Sequence, residues 1–187
     1  DPAVGSQLRQ AVVRLMLFPP ENGIDGTKKL IAQVADSLGR RDDATAIAAR
    51  IDSDRASVAP LNPSPKVLFI YARGAGMLLV AGEGTPIQSM ITLAGGTNAV
   101  TGFSDFKPLT PEALVAANPD VVLVFNTGAD DMQGNAALMR VPGMASTDAG
   151  RNGAFISLDP VIMAGFGPRV GQAIALLNSD LARYVKK

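Results

Sequence analysis

Residues Leu109–Gly128, LTPEALVAANPDVVLVFNTG, decide the fold. Thr110 is placed to cap a helix, and Pro111 suits the first helical position, where its missing N–H costs nothing. Asn118-Pro119-Asp120 stops that helix. The nearly unbroken apolar run Val121–Phe125 is the pattern of a strand covered on both faces. Polar Asn126-Thr127-Gly128 follows at the carboxyl end of the strand, where open α/β sheets present their ligand loops. Helix, hard turn, buried strand and loop together predict an α/β architecture and the side of the sheet on which to look for a site.

The pattern extends in both directions. Downstream, Leu138–Gly150 reads as short helical turns, Ala154–Leu158 as another strand and Pro168–Tyr184 as a long closing helix. Upstream, Lys66–Tyr71 (KVLFIY) is a buried-type strand, Ala72–Gly76 a glycine-rich loop, and Pro86–Leu93 a helix stopped by Gly95-Gly96. Strands alternating with helices predict a mainly parallel sheet with helices on both faces. Before this run, Pro60, Pro63 and Pro65 make a stiff break that marks the clearest boundary. A helix over Asp42–Ala59 precedes it, with Ile47, Ile51 and Val58 on one stripe. Another begins near Asp25 and carries Leu30, Ile31, Val34 and Leu38 on one face. Ser6–Val13 reads as a helix and Arg14–Phe18 (RLMLF) as a strand. Residues 1–40 thus look like the end of another α/β unit, with apolar faces that a partner chain or irregular packing must cover.

Composition excludes several classes of function. There are 17 basic and 17 acidic residues, no Trp and 5% aromatics, so nothing calls for nucleic acid or an anionic surface. No apolar run approaches the roughly 20 residues that span a bilayer. The chain has no Cys and no His. That removes Ser–His and Cys–His dyads, thiolate zinc sites and imidazole ligands to metal or heme, leaving carboxylates, carbonyls, Tyr and Met.

Four groups of residues invite a chemical reading. Gly74 and Gly76 follow a strand, but the full dinucleotide fingerprint is absent, and Gly82-Glu83-Gly84-Thr85 lacks the Lys of a phosphate loop, so tight turns explain these glycines. Asp42-Asp43 and Asp130-Asp131 resemble acid pairs, yet neighbouring residues on a helix diverge, and both pairs sit near expected helix starts, where Asp suits the dipole. Tyr71 and Arg73 stand at the carboxyl end of a strand. A tyrosine phenolate binds ferric heme in one class of protein. An Arg grips a carboxylate in bidentate fashion or polarises a phenol. Tyr71 as a strand residue packed under a helix is the simpler alternative. Finally, Met163-Ala164-Gly165-Phe166-Gly167-Pro168-Arg169 offers glycines for close backbone approach, a soft apolar surface and one charge.

Taken together, VLFIYARGAG (67–76), MITLAGGTNAV (90–100), TPEALVAANPDVVLV (110–124), VPGMASTDAGRNGAF (141–155) and GFGPR (165–169) resemble the periplasmic substrate-binding proteins of ABC importers for heme, cobalamin and iron–siderophores. The helix-NPDVV piece marks the wider superfamily, and AGRN with GFGPR resembles the hemin-binding branch. The resemblance covers roughly residues 25–187. It implies a non-enzymatic protein of two α/β lobes joined by a rigid helix, carrying heme in the cleft between them and delivering it to a membrane permease. On that frame, residues 1–40 are the remnant of an N-terminal lobe, 41–60 the connecting helix and 61–187 the C-terminal lobe. The cleft residues implied are Tyr71, Arg73, Gly74, Asn126, Thr127, Met163, Phe166 and Arg169. The permease-docking acid implied is Glu112, one of only three Glu, although an ordinary first-turn Glu facing free helix N–H groups fits that position equally well. The family's iron-ligating Tyr generally comes from the N-terminal lobe, where nothing in this chain matches it. The resemblance also implies a periplasmic location, and the lobe remnant suggests self-association. Cobalamin or a siderophore as cargo, and a flavodoxin-like enzyme or regulatory domain, are the alternatives.

Overall fold

The Asn118-Pro119-Asp120 turn proves to be a three-way tie. In the computed structural model, which describes residues 15–18, 23–73, 77–126, 135–163 and 165–185, helix α4 (Pro111–Ala117) ends at Asn118 in the left-handed conformation, φ 37°. Asn tolerates that region better than most residues. Its Oδ1 accepts from the Asp148 N–H at 2.8 Å, and the Pro119 carbonyl accepts from Ala149 N at 2.9 Å. Asp120 Oδ2 accepts from Lys66 N at 2.8 Å. One tripeptide thus fastens the end of a helix, the start of a strand and the start of helix α6 (Asp148–Asn152).

The sheet has six strands: β1 (Lys66–Arg73), β2 (Met77–Ala81), β3 (Thr97–Asn98), β4 (Phe106–Pro108), β5 (Val121–Phe125) and β6 (Phe155–Leu158). Their order is β4-β2-β1-β5-β6, with β3 also paired to β1. β1 runs parallel to β3 and β5, and β5 runs parallel to β6. β2 and β4 join antiparallel at one edge. The parallel strands expected after the Pro-rich break are all present. The antiparallel additions come from short segments beside Gly-rich turns, where residue pattern alone carries little signal. Val67–Ile70 and Val121–Val124 are buried, as continuous apolar strands require.

Helices fall close to their expected places. They are α1 (Ile24–Ser37), α2 (Arg41–Ala56), α3 (Pro86–Leu93), α5 (Asn135–Met139), α7 (Pro160–Met163) and α8 (Val170–Ala182), with a 3-10 turn at Met144–Ser146. Thr85 caps α3, its Oγ1 accepting from Gln88 N at 3.2 Å and donating to the Gly82 carbonyl at 2.9 Å, which is the structural use of the Gly82–Thr85 segment. Asp42 and Asp43 occupy the first turn of α2, and Asp43 pairs with Arg40 at 2.6 Å. The strand expected over Arg14–Phe18 does not form in the described part, 15–18, which has no regular structure and no neighbouring strand to pair with. The helix expected over Ser6–Val13 and the pair Asp130-Asp131 lie outside the described residues. Leu17 and Leu38 are both 69% exposed, in keeping with the apolar faces expected of residues 1–40.

α2 is anchored to the sheet domain by close backbone contact. A Cβ on Gly171 of α8 would lie 2.7 Å from Asp54 Cβ and 2.9 Å from the Ile51 carbonyl oxygen, so the two helices meet where a side chain has no room. Asn178, buried in α8, accepts from Ala59 N at 3.2 Å and donates to the carbonyls of Ala59 (2.8 Å) and Ala94 (3.0 Å). Lys28 of α1 pairs with Asp52 of α2 at 2.6 Å. Gly171→Ala should therefore cost about 1–3 kcal/mol through overpacking. At this chain length that is a fall of about 2–4 °C in Tm per kcal/mol, readable by calorimetry.

Candidate functional site

The carboxyl ends of β1, β5 and β6 lie side by side, because the three strands are parallel neighbours. Alternation puts Phe69 and Tyr71 of β1 on one face, and the register places Leu123 of β5 beside Phe69 and Leu158 of β6 beside Phe125. Aromatic rings follow this face outward. Phe69 and Phe125 meet edge-on with centroids 4.7 Å apart, Phe125 and Tyr71 at 6.3 Å and 74°, and Tyr71 and Phe106 at 6.4 Å and 57°. These are ordinary favourable aromatic geometries. Phe69 is buried, Tyr71 and Phe125 are half-buried, and Phe106 is exposed, so the row climbs from the core to the surface.

Tyr71 is therefore neither sealed under a helix nor loose. Its ring is fixed between two others, close to the end of its strand. Arg73 closes β1, its backbone paired with Met77, and its side chain lies outside the description. Gly74 and Thr127 lie outside the described residues. Asn126 is exposed, and its N–H donates to the Leu158 carbonyl at 3.0 Å, holding the ends of β5 and β6 together. Of the first two strand-end segments, the described parts, Tyr71 and Asn126, stand on the adjacent parallel strands β1 and β5.

The third segment is arranged differently. Met163 is 1% exposed and belongs to the core, because α7 turns its last residue inward, so its side chain presents no surface. Phe166 is half-buried but lines a different place, a 420 Å³ apolar groove with Leu30, Ile31 and Val34 of α1 and Ile47 of α2. The ring contacts that hold Tyr71 leave Phe166 out of that cluster. Arg169 stands exposed at the start of α8. Val161, 72% exposed on α7 directly after β6, is the apolar residue that this segment offers to solvent. Val161, Phe106 and Met77 as exposed apolar residues, and Phe125 as a ring beside Tyr71, are beyond sequence reading except for Phe125, whose strand-end position is a usable signal.

Among the described residues, no three acidic side chains gather as a metal site, and no helix is long and apolar enough to cross a membrane. Glu112 is exposed in the first turn of α4, where Thr110 supplies the cap by accepting from Ala113 N at 3.2 Å. The loop carrying Gly143 packs against Pro111 and Val115 on the same helix.

The α/β sheet with its aromatic row at the parallel strand ends is accompanied by a sequence pattern that identifies the family. The chain belongs to the periplasmic binding protein family, matching its pattern over residues 5–162. It is similar to the periplasmic heme-binding protein BhuT in complex with two hemes, at 36% identity and a TM-score of 0.91, covering 100% of this chain and 72% of that one. It is equally similar in sequence, 36%, to the periplasmic heme-binding protein RhuT from Roseiflexus sp. RS-1 in apo form, with a TM-score of 0.88 and coverage of 100% and 73%. The heme-binding protein HmuT matches at 26% identity and a TM-score of 0.82, covering 100% of this chain and 62% of that one. Solved variants of HmuT replace a Tyr and an Arg by Ala at two positions separated by a single residue. No curated protein sequence matches the chain.

Proposed function

We propose that this chain is the heme-capturing, substrate-binding component of a bacterial ABC importer, working in the periplasm and without catalysis. The observation that carries the reading is Tyr71, a phenol held between the Phe106 and Phe125 rings close to the end of β1. The phenolate is an established ligand for ferric heme, and flat apolar surface beside it suits a porphyrin. The Tyr–x–Arg spacing of Tyr71 and Arg73 equals the spacing of the two residues replaced in the HmuT variants. That spacing supports Tyr71 as a ligand from this lobe, in place of the Tyr expected from the opposing one.

In this reading Arg73 and the exposed Arg169 serve the two propionates, since guanidinium and carboxylate pair strongly and with defined geometry. Asn126 adds a polar group at the end of β5, and Gly74 and Thr127 are assigned to the same site by their sequence positions. The segment 41–60, built on α2, joins the lobe 61–187 to the unit of which 1–40 is part. Its tight seat on α8 favours small, rigid-body adjustment of the lobes over a wide hinge. Release then depends on the permease, for which the exposed Glu112 carboxylate offers one docking charge to Arg residues.

The test is a hemin titration of the protein followed by visible absorption. The expected result is a saturable Soret shift that cobalamin and ferric siderophores do not displace. A featureless, non-saturating rise, as for hemin in buffer, would overturn the reading, and displacement by cobalamin would transfer it to that cargo.

A further inference from the structure

The face of the sheet that carries Tyr71 does not end at Tyr71. Leu79 of β2 lies directly opposite it, Pro108 of β4 lies opposite Leu79, and Phe106 lies opposite Ala81 two positions on. By strand alternation Met77, Leu79, Ala81, Phe106 and Pro108 share this face. Met77 is 54% and Phe106 42% exposed, so the face reaches solvent as an apolar ledge. Edge strands that meet only water usually carry charge there. Here the edge strand puts its charge on the other side: Lys107 alternates away, and its ammonium sits 4.7 Å from the centre of the Phe103 ring. The apolar side is the side continuous with the Tyr71 phenol, and the Phe106 ring contacts that phenol's ring.

We infer that Phe106, with Met77 and Leu79, is the shelf on which the flat macrocycle rests, and that Phe106 also sets the plane of the Tyr71 ring presented to the iron. This rests on the heme-binding reading above and adds an iron-independent half to it. Ring stacking and methionine contacts act on the porphyrin itself, whether or not it holds a metal. The shelf therefore recognises tetrapyrroles as a class, while Tyr71 selects the iron form.

Hemin affinity from Soret absorbance and metal-free protoporphyrin IX affinity from its fluorescence separate the two halves. Phe106→Ala should weaken both ligands by about fivefold, in the range of one aromatic pair. Phe106→Tyr should restore both to within about twofold of the wild type, since it keeps the ring. Phe106→Leu, which keeps an apolar edge and protects against a failure to fold, should fall between the two. Wild-type binding of both ligands with unchanged affinity in Phe106→Ala and Phe106→Leu would overturn the shelf and leave the heme reading standing. A wild-type protein that shows no saturable Soret change would overturn the heme reading first, and the shelf with it.

Discussion

Gly150→Ala should be the most damaging single-methyl change in the described structure, costing about 4 kcal/mol or more, a size reached only by a few named mechanisms. A Cβ at Gly150 would lie 2.0 Å from the Met144 carbonyl oxygen and 2.7 Å from its carbonyl carbon. Both are backbone atoms of a tight turn and have no rotamer by which to withdraw. The turn cannot shift cheaply either. Thr147 Oγ1 donates to the same Met144 carbonyl at 2.7 Å and accepts from Gly150 N at 3.0 Å. Moving Met144 would leave buried polar groups unpaired, which adds about 1–3 kcal/mol for each. The Pro119–Ala149 bond that ties α6 to the end of α4 would shift with it. Urea denaturation checks this, and Gly165→Ala, where a Cβ meets nothing within 4 Å, is the control, expected within about 0.5 kcal/mol of the wild type. Equal midpoints for the two variants would show that the turn is softer than its hydrogen bonds imply.

The same residues show how much of the fold is legible in sequence. AGRN resembles the hemin-binding branch, and its Gly150 proves to be a packing requirement. NPD was read as a helix stop, and it is one, but its larger role is long-range: Asn118 reaches the 148–149 segment and Asp120 reaches Lys66. Capping and apolar runs are local properties, so Thr110, Thr85, Val121–Phe125 and Lys66–Tyr71 could be placed from their neighbours alone. β2, β3 and β4 could not. Their existence depends on hydrogen-bonding partners elsewhere in the chain, and a three-residue strand such as Phe106–Pro108 has no period to detect. Arg14–Phe18 has a composition that suits a strand, yet its described part, 15–18, is irregular, since strand preference depends on context as well as composition.

The candidate site divides along the same line. Tyr71, Arg73 and Asn126 could be proposed from sequence because a strand's carboxyl end is a position that sequence can specify, and all three do stand at or beside the ends of β1 and β5. Met163 and Phe166 were assigned by their order in the chain, and four residues of helix at 160–163 were enough to turn one into the core and the other towards α1 and α2. Along a helix side-chain direction turns by about 100° with each residue, and the chain leaves the helix at Met163, so adjacency in a motif says little about a shared surface. Phe106 is the opposite case. It lies 35 residues from Tyr71 in sequence, yet its ring is 6.4 Å away.

Tyr71→Phe should weaken hemin by about 100-fold while leaving the fold and metal-free porphyrin binding intact. Even an outer-sphere partner of a metal ligand is worth about 10- to 100-fold in metal affinity, so the ligand itself belongs at the upper end. The substitution removes one oxygen and nothing else. The ring keeps its neighbours Phe106 and Phe125 at 6.4 and 6.3 Å, so the aromatic row that orders this side of the sheet survives, and Tm should stay within about 2 °C. Protoporphyrin IX has no iron to ligate and should bind the variant as it binds the wild type. The two ligands therefore report on different atoms of one residue: the hydroxyl through hemin, the ring through protoporphyrin. Loss of both in Tyr71→Phe would mean that the phenol hydrogen-bonds the macrocycle periphery instead of ligating iron. Retention of both would remove Tyr71 from the ligand set and shift attention to the opposing lobe.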